Sequence, residues 1–219
     1  MKIRFWNVCP ILLAVCASLA SAASGGLFPD PAVDLDKPAA KTKQVAVLAG
    51  GCFWCTESVF EAVIGVEKVV SGYSGGTAST AVYKVVSEGR TEHAEAIEIT
   101  YDASKVSFGQ LLKVFFSVAH DPTTKDRQGP DWGKQYRSAI FTANDDQKRV
   151  AEAYIAQLNK AGVFKQPIVT QIVPLEKFYT AEGYHQDFVR NNPTHGYVVV
   201  NALPKLKKLK QQLPELTRK

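Results

Sequence analysis

The sequence predicts an α/β or α+β layered domain, on three observations. Strand-like and helix-like segments alternate from Gln44 onward, one central segment alternates over a full strand length, and two helices carry their own capping signals. Hydrophobic residues make up 46% of the 219 positions, enough for one well-packed core, so a single domain is expected.

The elements follow in order. Val45 to Ala49 is a short buried strand, Gly50-Gly51 a turn, and a helix opens near Cys52 and runs to about Ala62, with Cys52, Thr56, Val59 and Val63 on one face. Val66 to Ser71 reads as a strand before a glycine-rich turn at 72 to 76, and Ala81 to Ser87 as a short helix or turn. His93 to Tyr101 is the alternating strand: Glu95, Ile97, Ile99 and Tyr101 point one way, and Ala94, Ala96, Glu98 and Thr100 the other. Ser107 and Gln110 form a capping box for a helix that ends near His120, before Pro122. After a long polar loop come a strand from Gln135 to Thr142 and a helix capped by Asn144 and stopped at Gly162. The remaining elements are a strand from Ile168 to Val173, a helix from Leu175 to Val189 and a last short strand from Tyr197 to Val200. Residues 23 to 43, rich in Ala, Pro, Gly, Asp and Lys without periodicity, are a linker or an extended arm.

The first 22 residues read as a secretory signal. Lys2 and Arg4 precede an apolar run from Val8 to Ala20 that closes on Ala20-Ser21-Ala22, and the run is shorter than the roughly 20 residues of a spanning helix. Export to a periplasmic or extracellular space is therefore expected. A lipoprotein variant built on Cys16 is the lesser alternative, because the bulky Val15 stands where such boxes carry a small residue. Cleavage removes Cys9 and Cys16, so Cys52 and Cys55 are the thiols that remain. The net charge left is about +3, too mild to suggest nucleic acid, and the basic run Lys205 to Lys210 reads as the solvated face of a terminal helix.

The two thiols lie one helical turn apart. A cysteine in the first turn of a helix meets unpaired N–H groups and the positive end of the dipole, so Cys52 is expected to have a lowered pKa and to be the nucleophile. Cys55 is within reach to close a disulfide with it. Three other readings compete. A structural disulfide across so short a loop removes little chain entropy, and a zinc half-site finds no partner spacing among His93, His120, His185 and His195, so no metal is expected. Thioredoxin-like disulfide exchange remains a rival. Glu95 is either the exposed end of its strand or a carboxyl in apolar surroundings; in the second case burial keeps it protonated and able to donate. A reactive thiol, a neutral acid and neighbouring aromatics together suit reduction of a polarised S=O group.

Five ordered segments then carry a resemblance to a known family: "GCFWCTE" at 51 to 57, "GYSGG" at 72 to 76, "HAEAIEITYD" at 93 to 102, "HDPTTKDRQGPDWGKQYRSAIF" at 120 to 141 and "HGYVVV" at 195 to 200. From about Gln44 to Lys210 the chain resembles the A-type peptide methionine sulfoxide reductases. The resemblance implies a two-layer α/β sandwich related to the ferredoxin-like arrangement, with a mixed sheet and flanking helices. It implies reduction of the S epimer of methionine sulfoxide, free or in proteins, by a monomer with no bound cofactor and an external thioredoxin-like dithiol as reductant. It assigns Cys52 as the nucleophile that becomes a sulfenic acid, Phe53 and Trp54 as the aromatic wall for the substrate methyl, and Glu95 as the proton donor. It assigns Tyr83 and Tyr136 as hydroxyls on the sulfoxide oxygen and Asp131 as the acid near the site.

The chain departs from the family pattern in two places. Many members have glycine where this chain has Cys55, and many have a recycling cysteine after a C-terminal Gly-Tyr, whereas Gly196-Tyr197 is followed here by Val198 and no cysteine lies beyond Cys55. The expectation is that Cys55 has taken over recycling.

Overall fold

The computed structural model describes residues 28–218; the expected signal segment lies outside them. Strands and helices occur in the order β1 (Lys43–Gly50), α1 (Phe53–Glu61), β2 (Val66–Ser74), α2 (Tyr83–Val86), β3 (Ala94–Asp102), α3 (Phe108–Val114), β4 (Arg127–Gln128) and β5 (Asp131–Trp132). They continue with β6 (Ser138–Thr142), α4 (Asp145–Lys160), β7 (Gln171–Pro174), β8 (Phe178–Thr180), α5 (Phe188–Asn191) and α6 (Leu203–Gln212).

Six strands form one mixed sheet in the order β7-β6-β1-β3-β2-β8, antiparallel throughout except for the parallel pair β6 and β7. Its centre, β6-β1-β3-β2 with α1 after β1 and α3 after β3, is the β-α-β-β-α-β arrangement of ferredoxin-like sandwiches. Alternation decides which residues meet the helices. Ala46, Leu48, Ile97, Ile99 and Ile140 enter the core shared with Val59, Phe60, Leu111, Phe115, Val150 and Tyr154 of the helical layer. Val47, Ala49, Ala96 and Phe141 face the other way, under Val173, Leu175 and Phe178.

Both predicted caps form. Ser107 Oγ accepts from Gln110 N at 3.1 Å while the Gln110 side chain accepts from Ser107 N at 3.0 Å, and Asn144 Oδ1 accepts from Gln147 N at 2.9 Å. The segment before β1 lies along the body as an extended arm: Phe28 meets Phe164 edge-on at 5.6 Å, Tyr154 donates to the Pro29 carbonyl, and Asp34 accepts from Gly109 N at 2.8 Å.

Four expectations need correction. The strand before the glycines runs on to Ser74, because Gly72, Tyr73 and Ser74 pair with β8; a Cβ at Gly72 would lie 2.3 Å from both Phe178 and the Tyr179 carbonyl, so only glycine lets β8 approach. The helix expected over 175 to 189 is instead β8, a 3₁₀ turn at Gly183–His185 and the short α5, since sheet pairing claims Phe178 to Thr180. The strand expected from Gln135 starts only at Ser138, after a 3₁₀ turn over Lys134–Tyr136. The strand expected over 197 to 200 is helical: Val198 and Ala202 are buried while Val199 and Val200 are exposed, a spacing of four, and a wide π turn leads directly into α6.

Candidate active site

β1 delivers the chain into the site and Gly51 turns it. Gly51 has φ +84°, and a Cβ there would fall 2.4 Å from the side chain of Gln128, so glycine allows both the turn and the close approach of the 121–128 loop. Gln128 ties that loop down by accepting from Asp121 N and donating to Asp121 O, each at 3.0 Å. Cys52 then sits at the N-cap of α1, its carbonyl accepting from Cys55 N at 3.1 Å and Thr56 N at 3.3 Å. The next amide, Phe53 N–H, donates to Glu95 Oε2 at 3.0 Å.

Glu95 therefore does not lie at an exposed strand end. Projecting with Ile97 and Ile99 into the helical layer, it is 2% exposed, and burial pushes its pKa up to about 8 against the opposing Phe53 hydrogen bond; Asp131 and Cys55 push it the same way. At neutral pH it is a carboxylic acid.

The thiols depart from the sequence expectation. Cys52 is 9% exposed and Cys55 1%, in an apolar cluster with Val189, Val198 and Ala202, and no disulfide joins them. Burial, its hydrogen bond to Cys55 and the neighbouring Glu95 push the Cys52 thiol well up, not down. Burial outweighs what the helix start offers, and the amide next to Cys52, Phe53 N–H, is given to Glu95. Cys55 goes the other way: the hydrogen bond from Cys52 holds it below the ordinary thiol range, aided by the charge of Lys205 and opposed by burial.

Tyr83, at the start of α2, and Tyr136, after the turn at Gly133, are half-buried. Burial followed by the nearby Glu95 pushes both phenols up, so both stay neutral hydroxyl donors around that acid and Cys52. Asp131 opens β5, and its Oδ2 accepts from Tyr197 OH at 2.5 Å; burial raises its pKa against that bond. It lies on a cavity of about 70 Å³ lined also by both thiols, Tyr197, Asn201 and Lys205, and its charge bears on Glu95 and both phenols as well.

The two aromatics between the thiols part company. Phe53 is 1% exposed and packs on Tyr73 and His185. Trp54 is half-buried, stacked on Phe188 with centroids 3.7 Å apart, and its Nε1–H donates to His185 Nδ1 at 3.0 Å. His185 is kept neutral by burial and packs against Tyr83 at 4.3 Å.

Sequence reasoning gave His185 no role, and it took Lys205 for part of a solvated face. Lys207, Lys208 and Lys210 are indeed exposed, but Lys205 is half-buried and donates to the Ala119 carbonyl at 2.7 Å.

The sequence model described as peptide methionine sulfoxide reductase matches residues 44–217. A peptide methionine sulfoxide reductase MsrA 2 of Synechocystis is 55% identical over 188 residues, 85% of this chain and 88% of that protein. Another MsrA 2, of Mesorhizobium japonicum, is 56% identical over 182 residues, 83% of this chain and 93% of that protein. Among solved structures, methionine sulfoxide reductase A of Corynebacterium diphtheriae matches with TM-score 0.60 and 32% identity over 81% of this chain and 91% of that one. Reduced Mxr1 of Saccharomyces cerevisiae matches with TM-score 0.62 and 34% identity over 73% and 90%.

Proposed function

This chain belongs to the peptide methionine sulfoxide reductase family and reduces methionine sulfoxide to methionine, and from that premise we propose how its residues divide the work. The observation that carries the proposal is the Glu95 carboxyl, buried and protonated, bonded to the amide that follows Cys52.

Cys52, as thiolate, attacks the sulfoxide sulfur while Glu95 protonates the oxygen, with the Tyr83 and Tyr136 hydroxyls donating to that oxygen. The hydroxyl passes to the Cys52 sulfur as a sulfenic acid, methionine leaves, and the proton shed by Cys52 restores Glu95. The Cys55 thiol then condenses with the sulfenic acid, water departs, and an external thioredoxin-like dithiol returns two electrons and two protons to the disulfide. Trp54 supplies the apolar wall for the substrate methyl, with Phe53 behind it in the core, and Asp131 acts through Tyr197 on the thiol side. The substrate is the S epimer in peptides or proteins, and the enzyme works as a monomer. The first 22 residues support export, so the repair takes place outside the cytoplasm.

The test uses reduced protein, a dithiol, and separated S and R epimers of a methionine sulfoxide peptide, with Cys52→Ser alongside. Only the S epimer should be consumed, and only with Cys52 present. Consumption of the R epimer, or turnover by Cys52→Ser, would sink the proposal.

A further inference from the structure

The two sulfurs that recycling would join are unlike in access and in electrostatic surroundings. Cys52 is the more exposed, and Cys55 is nearly closed off at 1%. A small cavity lined by both sulfurs brings Cys55 together with Asp131, Tyr197, Asn201 and Lys205, and the charge of Lys205 bears on the Cys55 sulfur. Lys205, on α6, is held in place by its bond to the Ala119 carbonyl at the end of the helical run from Phe108, and an ammonium has two further protons to offer. The charged and titratable groups acting on the Cys55 sulfur are Cys52 on α1, Lys205 on α6, Tyr197 before it and Asp131 on β5, with Glu95 on β3 behind; Lys205 is the one cation among them.

In thiol–disulfide exchange the attacked sulfur is the accessible one, and the sulfur that leaves is the one whose negative charge is better stabilised. Access selects Cys52 as the sulfur attacked; in the mixed disulfide Cys52 has no S–H to donate, so Lys205 and Tyr197 are the groups left to hold negative charge on Cys55 against its burial. We propose that Lys205 makes Cys55 the leaving sulfur, so that the external dithiol opens the Cys52–Cys55 disulfide by attacking Cys52. The inference rests on the reading of Cys55 as the resolving thiol. The reductant thiolate forms a bond to the Cys52 sulfur, the Cys52–Cys55 bond breaks, and its electron pair stays on Cys55 beside Lys205. The second thiolate of the reductant then attacks its own sulfur in the mixed disulfide, Cys52 leaves, and both cysteines take up protons. Lys205 is a positioning residue here, acting through Cys55.

The test oxidises the mature protein with one equivalent of a methyl sulfoxide peptide and mixes it with a thioredoxin whose second active-site cysteine is serine. Peptide mass mapping should place the reductant on Cys52, with Cys55 free; a reductant found on Cys55 overturns the inference. In a Cys52→Ser background, ultraviolet thiolate absorbance against pH reads Cys55. Lys205→Met should move that midpoint upward, and in the otherwise unchanged enzyme it should slow reopening on the order of tenfold at neutral pH, with Lys205→Arg restoring most of the rate. An unmoved midpoint and an unchanged reopening rate in Lys205→Met would overturn the role of Lys205. Oxidised protein that forms no internal bridge removes the resolving-thiol premise itself, a result read before any reductant is added.

Discussion

The two sides of the first turn of α1 are built for different proton states. On the β3 side, Glu95 and the phenols of Tyr83 and Tyr136 are all held neutral by burial, so protons are kept ready for a departing oxygen. On the α6 side, the Cys52 hydrogen bond in the dithiol state and the charge of Lys205 favour negative charge on the Cys55 sulfur against its burial. Cys52 stands between, its own thiol pushed up. One sulfur thus serves two reactions, an oxygen transfer that needs an acid and a disulfide opening that needs a stabilised thiolate. The chain separates them by giving each its own wall.

The largest expected effect tests the acid wall. Glu95→Gln keeps the shape and can still accept from Phe53 N–H, but it has no acidic proton to give, so the single-turnover rate of sulfoxide reduction should fall by about 10²- to 10⁴-fold. The pH profile sharpens this. Below about pH 8 Glu95 holds its proton and the rate rises with thiol ionisation; above it the acid is progressively lost, so the rise ends at about 8. The amide variant has no such group, and its profile should lose the bend. A bend persisting in Glu95→Gln would place the acid elsewhere.

Next in size is the variant that empties the other wall. Cys55→Ser should retain one stoichiometric turnover, because the oxygen-transfer side is untouched, and lose dithiol-supported turnover beyond it. Mass analysis of the protein after that first turnover should show Cys52 carrying a sulfenic acid with no internal bridge. Sustained turnover with thioredoxin as the reductant would mean that an outside thiol reaches Cys52 without help, and the division into two walls would fail.

How much of this was legible in the sequence follows the same division. β1, β3 and the capped helices were readable because their signals are local: alternation from Glu95 to Tyr101 fixed which residues share a face, and Asn144 and Ser107 cap by side chains only three residues from the amides they serve. The face of Glu95 was readable too, but its burial was not, since that depends on α1 packing over it. The α6 side was opaque because it is made by chain return. Lys205 comes beside Cys55 only after the chain from β8 onward has folded back over the thiols, and nothing within five residues of it marks the lysine as different from its exposed neighbours. The upward push on the Cys52 thiol is illegible for a related reason, since it comes first from burial under distant chain, then from Cys55 and from Glu95, which also takes the Phe53 amide at the helix start.

The smallest expected effect measures how independent the walls are. Tyr136→Phe removes one hydroxyl among several donors to the departing oxygen and leaves Glu95 in place, so the single-turnover rate should drop by about tenfold. Reopening of the pre-formed Cys52–Cys55 disulfide by a dithiol runs on the side of Asp131, Tyr197 and Lys205, which the Tyr136 hydroxyl does not line. Stopped-flow reopening of the oxidised variant should therefore match the parent within about twofold, while its first turnover lags. An equal loss in both steps would mean that Tyr136 holds the 3₁₀ turn over Lys134–Tyr136 and the neighbouring β5, with Asp131 on it, in place for both reactions, and that the two walls form one structural unit.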